Sequence, residues 1–119
     1  MKLRARSCWI ALFALLPAAS GALPWNKDMS PWNYPLQLAL VPLCYALAAG
    51  NRVMLKPSEH TPRTSDLVHR IVRECFPNDH VCVVTGDAAV GAAFARLPFD
   101  HLLFTGSTVV GKAVMSVRQ

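Results

Sequence analysis

The sequence predicts an open, doubly wound α/β sheet of parallel strands with helices on both faces, incomplete as it stands. Three observations carry that expectation. Short, continuously apolar runs alternate with longer segments of helical periodicity, the pattern of strands covered on both faces and joined by helical crossovers. Proline or glycine marks each change of pattern, as at Gly50, Pro57, Pro62, Pro77, Gly86 and Gly106. The composition is core-forming, with 53% of 119 residues hydrophobic and 16% charged, whereas a disordered chain would be poorer in apolar residues.

Taken in order, the first helix spans residues 35–49. Leu36, Leu40, Leu43 and Leu47 recur at helical spacing and Gly50 supplies the stop, while Pro42 is expected to bend or divide it. A buried strand follows at residues 52–55 and ends at Lys56-Pro57. Thr61 is a candidate N-cap for the second helix, with Pro62 at its first position. Its apolar face reads Leu67, Val68, Ile71, Val72 and Cys75. Residues 81–84 form the next strand, 88–96 a short alanine-rich helix, and 101–104 a third strand. Thr105-Gly106-Ser107 then turns the chain into a last helix. In such a sheet, ligands bind beyond the carboxyl ends of the strands, so the polar residues there are the functional candidates.

The net charge of +5 raises the question of nucleic acid. Its cations are dispersed or sit at Lys2, Arg4 and Arg6, and no basic run interleaves with aromatics, so no nucleic-acid partner is expected. Cys8, Cys44, Cys75 and Cys82 form no C-x-x-C pair, and no histidine stands at zinc spacing beside them. They read as reduced thiols, Cys44 and Cys82 within the core, and no metal is expected. Residues 1–23 differ from the rest. Three basic residues precede an apolar run and a small-residue exit, the layout of a secretory signal. The uncharged stretch 7–26 approaches the length of a membrane span, although Pro17 and Gly21 weaken it. The other reading is an incidental segment that directs nothing.

Three clusters lie at the strand ends: Pro31-Trp32-Asn33-Tyr34-Pro35, the run Gly50 to Glu59, and the run Phe99 to Gly111. Together, in this order and spacing, they resemble the signatures of the NAD(P)-dependent aldehyde dehydrogenase family. The Phe99-Asp100-His101 lead is most similar to the coniferyl- and fatty-aldehyde branch. The resemblance covers residues 31–119 and implies a partial, Rossmann-type cofactor-binding domain, with residues 1–30 a signal-like or unrelated segment.

From the residues alone, Gly106-Ser107 is either a plain helix cap or a turn whose free N–H groups receive phosphate. The resemblance implies pyrophosphate at Gly106 and Ser107 and adenine against Val110. Lys56-Pro57-Ser58-Glu59 reads as an ordinary solvated pair or, by resemblance, as the ribose site. A carboxylate facing the ribose 2′ position repels a 2′-phosphate, so NAD is expected over NADP. Asn33 is a turn residue between prolines, or by resemblance the amide that donates to the oxyanion of a thiol–aldehyde adduct, worth about 3–4 kcal/mol of barrier. Trp32 packs beside the cofactor or in the core. Gly86 and Gly91 match positions close to the adenine, or serve turn and helix packing.

The resemblance also implies an aldehyde substrate and homo-oligomers. It favours the cytoplasm, where free dinucleotide is available, with export or membrane tethering as the alternative. The family's catalytic glutamate segment and nucleophilic cysteine have no counterpart in these 119 residues, so the chain is expected to be a catalytically inert fragment. The other readings are a non-catalytic nucleotide-binding module and an exported or tethered protein on a degenerate scaffold. The family has an apolar strand just before the first motif. Residues 25–30 are polar, so that central strand is expected to be missing.

Overall fold

The computed structural model describes residues 24–117. Strands and helices alternate along them: β1 (Trp25–Met29), α1 (Pro35–Ala48), β2 (Arg52–Lys56), α2 (Pro62–Cys75), β3 (Val81–Val83), α3 (Ala88–Arg96), β4 (His101–Phe104) and α4 (Thr108–Ser116). The strands stand in the order β3-β2-β1-β4, and every pairing is parallel. The chain steps outward from β1 through β2 to β3, then returns to lay β4 on the other side of β1. That reversal is the topological switch of a doubly wound sheet, and it opens a crevice beyond the carboxyl ends of β1 and β4.

Residue alternation sorts the two faces. Val53, Leu55, Val81 and Val83 meet Ala39 and Leu43 of α1 and Val68 and Val72 of α2 in one buried cluster. Met54, Cys82 and Val84 point the other way and meet Phe94 of α3. Each such valine or leucine contributes about 2 kcal/mol by leaving water, so these short strands are held by their side chains as well as their ladders.

The helix ends follow local chemistry. Tyr34, in the left-handed region at φ 50°, leads into α1, and Pro35 occupies its first turn. Gly50, at φ 80°, ends it. There the Gly50 N–H donates to Leu47 O at 2.9 Å and the Asn51 N–H to Ala46 O at 3.0 Å, the bond pair of a Schellman stop. Pro42 does not divide α1, which runs unbroken past it. Buried Ala39 and Leu43 on either side hold the helix to the sheet despite the missing N–H.

Three other expectations are corrected. Thr61 makes no side-chain cap; instead Ser65 Oγ donates to Ser58 O at 2.8 Å and ties the first turn of α2 to the loop before it. The buried face of α2 is Ser65, Val68 and Val72, while Leu67, Ile71 and Cys75 face outward. Cys44 is exposed and free, as is Cys75, whereas Cys82 is buried. Among the described residues, no helix is long and apolar enough to cross a membrane. The signal-like residues 1–23 lie outside the description.

The largest correction concerns β1. The expectation of a missing central strand fails, because Trp25–Met29 pairs with β2 on one side and β4 on the other. Its polar side chains are accommodated rather than excluded. Lys27 is buried on the α3 face, where its Nζ donates to Ala95 O at 2.7 Å, Leu97 O at 2.8 Å and Phe94 O at 3.4 Å. Those carbonyls form the negative end of α3, a natural seat for an ammonium. The Lys27 Nζ also lies 5.2 Å from the centre of the Phe99 ring. On the opposite face, Asn26 Oδ1, both Asp28 oxygens and Ser30 Oγ are buried without a hydrogen-bond partner among the described residues.

Candidate functional site

Parallel strands all end at the same edge of the sheet, so the turns that follow them are neighbours. Asn33 and Trp32 follow β1, Lys56 to Glu59 follow β2, Gly86 follows β3, and Gly106 and Ser107 follow β4. β2 and β4 flank β1, which puts their two turns about 10 Å apart, two strand spacings. Main-chain bonds continue past the strand ends and fix the turns. The Ser30 N–H donates to Lys56 O, the Val84 N–H to Leu55 O and the Thr105 N–H to Met29 O.

The turn after β2 is built around a buried cation. Lys56 is 4% exposed, and its Nζ donates to Glu59 Oε2 at 3.0 Å and to Pro57 O at 3.2 Å. Its methylenes run under α3, where a Cβ added at Gly91 would stand 3.4 Å from Lys56 Cε. Gly91 therefore leaves room for the lysine stem. Burial alone would raise the Glu59 carboxyl. Its own backbone N–H, the hydrogen bond and charge of Lys56, and the charge of His60 outweigh that and hold it below the usual range. Glu59 is thus an anion that keeps an open side toward solvent. Ser58 is buried, and its Oγ accepts the His60 N–H at 3.2 Å, so its hydroxyl braces the turn.

In the turn after β4, Ser107 caps α4: its Oγ accepts the Val110 N–H at 3.3 Å, while the Gly111 N–H donates to Ser107 O. The N–H groups of Thr108 and Val109 are left without an acceptor inside the helix, ready for an anion. Val110 is 48% exposed beside them. Around β1, Asn33 is exposed. Trp32 is 62% exposed, which removes the reading of it as core. In the turn after β3, Gly86 faces the Val90 side chain, 2.6 Å from where a Cβ would stand, so packing alone accounts for that glycine.

The sequence pattern assigns no site or strand role to Lys27 and Asp28, and no site role to Phe104. Lys27 and Asp28 break the apolar pattern that marks a buried strand, and Phe104 looked like an ordinary strand residue. It also assigned no contact to Asp100, whose Oδ2 accepts the Trp25 N–H at 2.9 Å and whose own N–H donates to Trp25 O. The two bonds join the start of β4 to β1.

Comparison with known proteins agrees with this architecture. Residues 27–119 match the aldehyde dehydrogenase family. A probable coniferyl aldehyde dehydrogenase of Pseudomonas aeruginosa is 61% identical over 85 residues, 71% of this chain and 18% of that protein. The coniferyl aldehyde dehydrogenase of a Pseudomonas species is 54% identical over 87 residues, again 18% of its length. Among solved structures, Staphylococcus aureus AldH in a substrate-bound state superposes with a TM-score of 0.74 at 37% identity, over 80% of this chain and 21% of that one. The NADP-dependent glyceraldehyde-3-phosphate dehydrogenase of Bacillus halodurans, complexed with NADP, gives 0.69 at 31%, over 79% of this chain and 20% of that one. The chain spans about a fifth of the length of these relatives. With the three motifs on one sheet edge, the order β3-β2-β1-β4 and a family match from residue 27 to 119, the chain belongs to the aldehyde dehydrogenase family.

Proposed function

We propose that residues 31–119, with β1 completing their sheet, supply the dinucleotide-binding part of an enzyme that oxidises an aldehyde to a carboxylic acid. The observation that carries this reading is the shared edge: the turns 56–59 and 106–111 flank the end of β1 across the switch point. The residues fit a dinucleotide. Lys56 and Glu59 offer a donor and an acceptor to ribose hydroxyls, the N–H groups opening α4 receive phosphate, and Val110 offers an apolar surface to the base. Ser58 and Gly91 support Lys56 and Glu59, Gly86 supports α3, and Trp32, exposed in the turn after β1, is free to pack beside the cofactor. The dinucleotide, when bound, is the electron acceptor. Asn33, exposed in the turn after β1, is the amide this reading assigns to the oxyanion.

Glu59 supports NAD as the preferred cofactor, because its ionised carboxylate would face a 2′-phosphate with like charge. The likeness to coniferyl aldehyde dehydrogenases supports an aromatic or long-chain aldehyde as the substrate of the whole enzyme. The need for free dinucleotide supports a cytoplasmic site, and the family resemblance a homo-oligomer. None of Cys8, Cys44, Cys75 or Cys82 sits in a nucleophile motif, so these 119 residues bind cofactor without turning over aldehyde.

Calorimetric titration of the chain with NAD and NADP tests the reading. Saturable binding with NAD the tighter ligand is expected; no binding of either at millimolar concentration would refute it.

A further inference from the structure

Glycine is used at positions 106 and 111 for a reason the backbone does not explain. Neither residue has a positive φ; among the described glycines that belongs to Gly50. What both positions share is the Phe104 ring. A Cβ on Gly106 would stand 2.7 Å from Phe104 Cζ, and one on Gly111 would stand 3.2 Å from Phe104 Cε1. Phe104 belongs to neither apolar cluster of the core. The last side chain of β4 therefore spends its apolar surface on the turn and on the first helical turn beyond it.

We infer that Phe104 is a positioning residue for the phosphate-receiving turn: its ring, seated against Gly106 and Gly111, sets where the amino end of α4 stands relative to the end of β4. The inference rests on the proposed reading of that turn. Phosphate oxygens need N–H groups at hydrogen-bond distance, and a shift of about 1 Å in a binding group costs a large part of its effect. A ring held by two glycines fixes that distance more firmly than a flexible aliphatic chain could. The lysine–glutamate turn after β2 has no part in this contact, so the two halves of the site are separable.

The test uses the whole 119-residue chain, titrated by NMR with ADP-ribose and with adenosine, which carries no phosphate. Phe104→Leu is expected to weaken ADP-ribose about tenfold and adenosine, which meets α4 only through Val110, by no more than about threefold. Equal loss of both ligands, or loss of neither, would overturn the inference. If the native chain binds neither ligand, the proposed function fails, and the positioning role is decided without ligand by the thermal midpoint. Gly106→Ala should lower that midpoint in the native background and leave it nearly unchanged beside Phe104→Leu. An equal drop in both backgrounds would sink the role. Should Phe104→Leu fail to fold, Phe104→Met repeats the comparison; if that too loses the native spectrum of β1 to β3, Phe104 is a core residue and the inference is wrong.

Discussion

Asp28 stands on the central strand between Leu55 of β2 and Leu103 of β4, and neither of its oxygens has a hydrogen bond among the described residues. Burial pushes its carboxyl up to about 7 from 3.8. The linkage has a definite sign. Below about pH 4 the group is protonated in both folded and unfolded chains, and there is no penalty. Between pH 4 and 7 the unfolded chain ionises while the folded one keeps its proton, so stability falls by about 1.4 kcal/mol per pH unit. Above pH 7 the loss levels off at about 4 kcal/mol. Asp28→Val should raise the urea midpoint at pH 7.5 and remove this slope; equal slopes for variant and parent between pH 4.5 and 7 would refute it. At Glu59 the issue is selectivity. Glu59→Gln removes the negative charge while keeping an acceptor for a ribose hydroxyl, so NADP affinity relative to NAD should rise about tenfold. An unchanged ratio by calorimetry would mean that Glu59 does not face the 2′ position.

At the scale of elements, β1 and α3 are one unit joined by Lys27. Truncating that side chain strips the end of α3 of three acceptors' worth of hydrogen bonds in a place closed to water. Lys27→Ala should therefore cost about 3 kcal/mol, read from urea unfolding, with faster amide exchange in α3 than in α2. A cost below about 0.5 kcal/mol would show that the carbonyls find water. The same strand marks where the sequence stops being legible. β2, β3 and β4 announce themselves because apolar residues dominate them, and Gly50, Pro57 and Gly86 bound them. In β1, Lys27 and Asp28 contradict the side-chain rule, and the strand forms because two parallel neighbours leave a slot whose main-chain groups need partners. Side-chain pattern reports which face is apolar; it does not report a gap between two strands distant in sequence. The candidate site was more legible than the core for the same reason. Lys56, Glu59, Gly106 and Ser107 lie in turns whose chemistry is local, so their shared edge follows once the strands are parallel. Which face of α2 is buried depends on how the helix rolls on the sheet, and Leu67 and Ile71 fell on the wrong side of that choice. The Phe104 contact with two glycines is equally invisible, since it depends on how α4 leaves β4.

The described residues, taken together, leave one flank apolar. Among the described residues β4 is an edge strand with Leu103 46% exposed, and α4 beyond it shows Val109 at 79% and Met115 at 65%. An edge strand carries unpaired main-chain groups that invite another strand, and apolar side chains beside it add a driving force for association. The opposite edge is less inviting, because Val81, Cys82 and Val83 of β3 are all buried. Self-association should therefore begin at the β4–α4 flank and rise with concentration. Sedimentation velocity from micromolar to hundred-micromolar protein checks this: the native chain should shift to larger species. The pair Leu103→Lys and Met115→Lys should shift markedly less with only a small change in unfolding midpoint, since Leu103 is about half and Met115 about two thirds in water already. If the pair associates like the native chain, the sticky surface lies elsewhere, with the exposed Leu36, Val41 and Tyr45 of α1 the next to test.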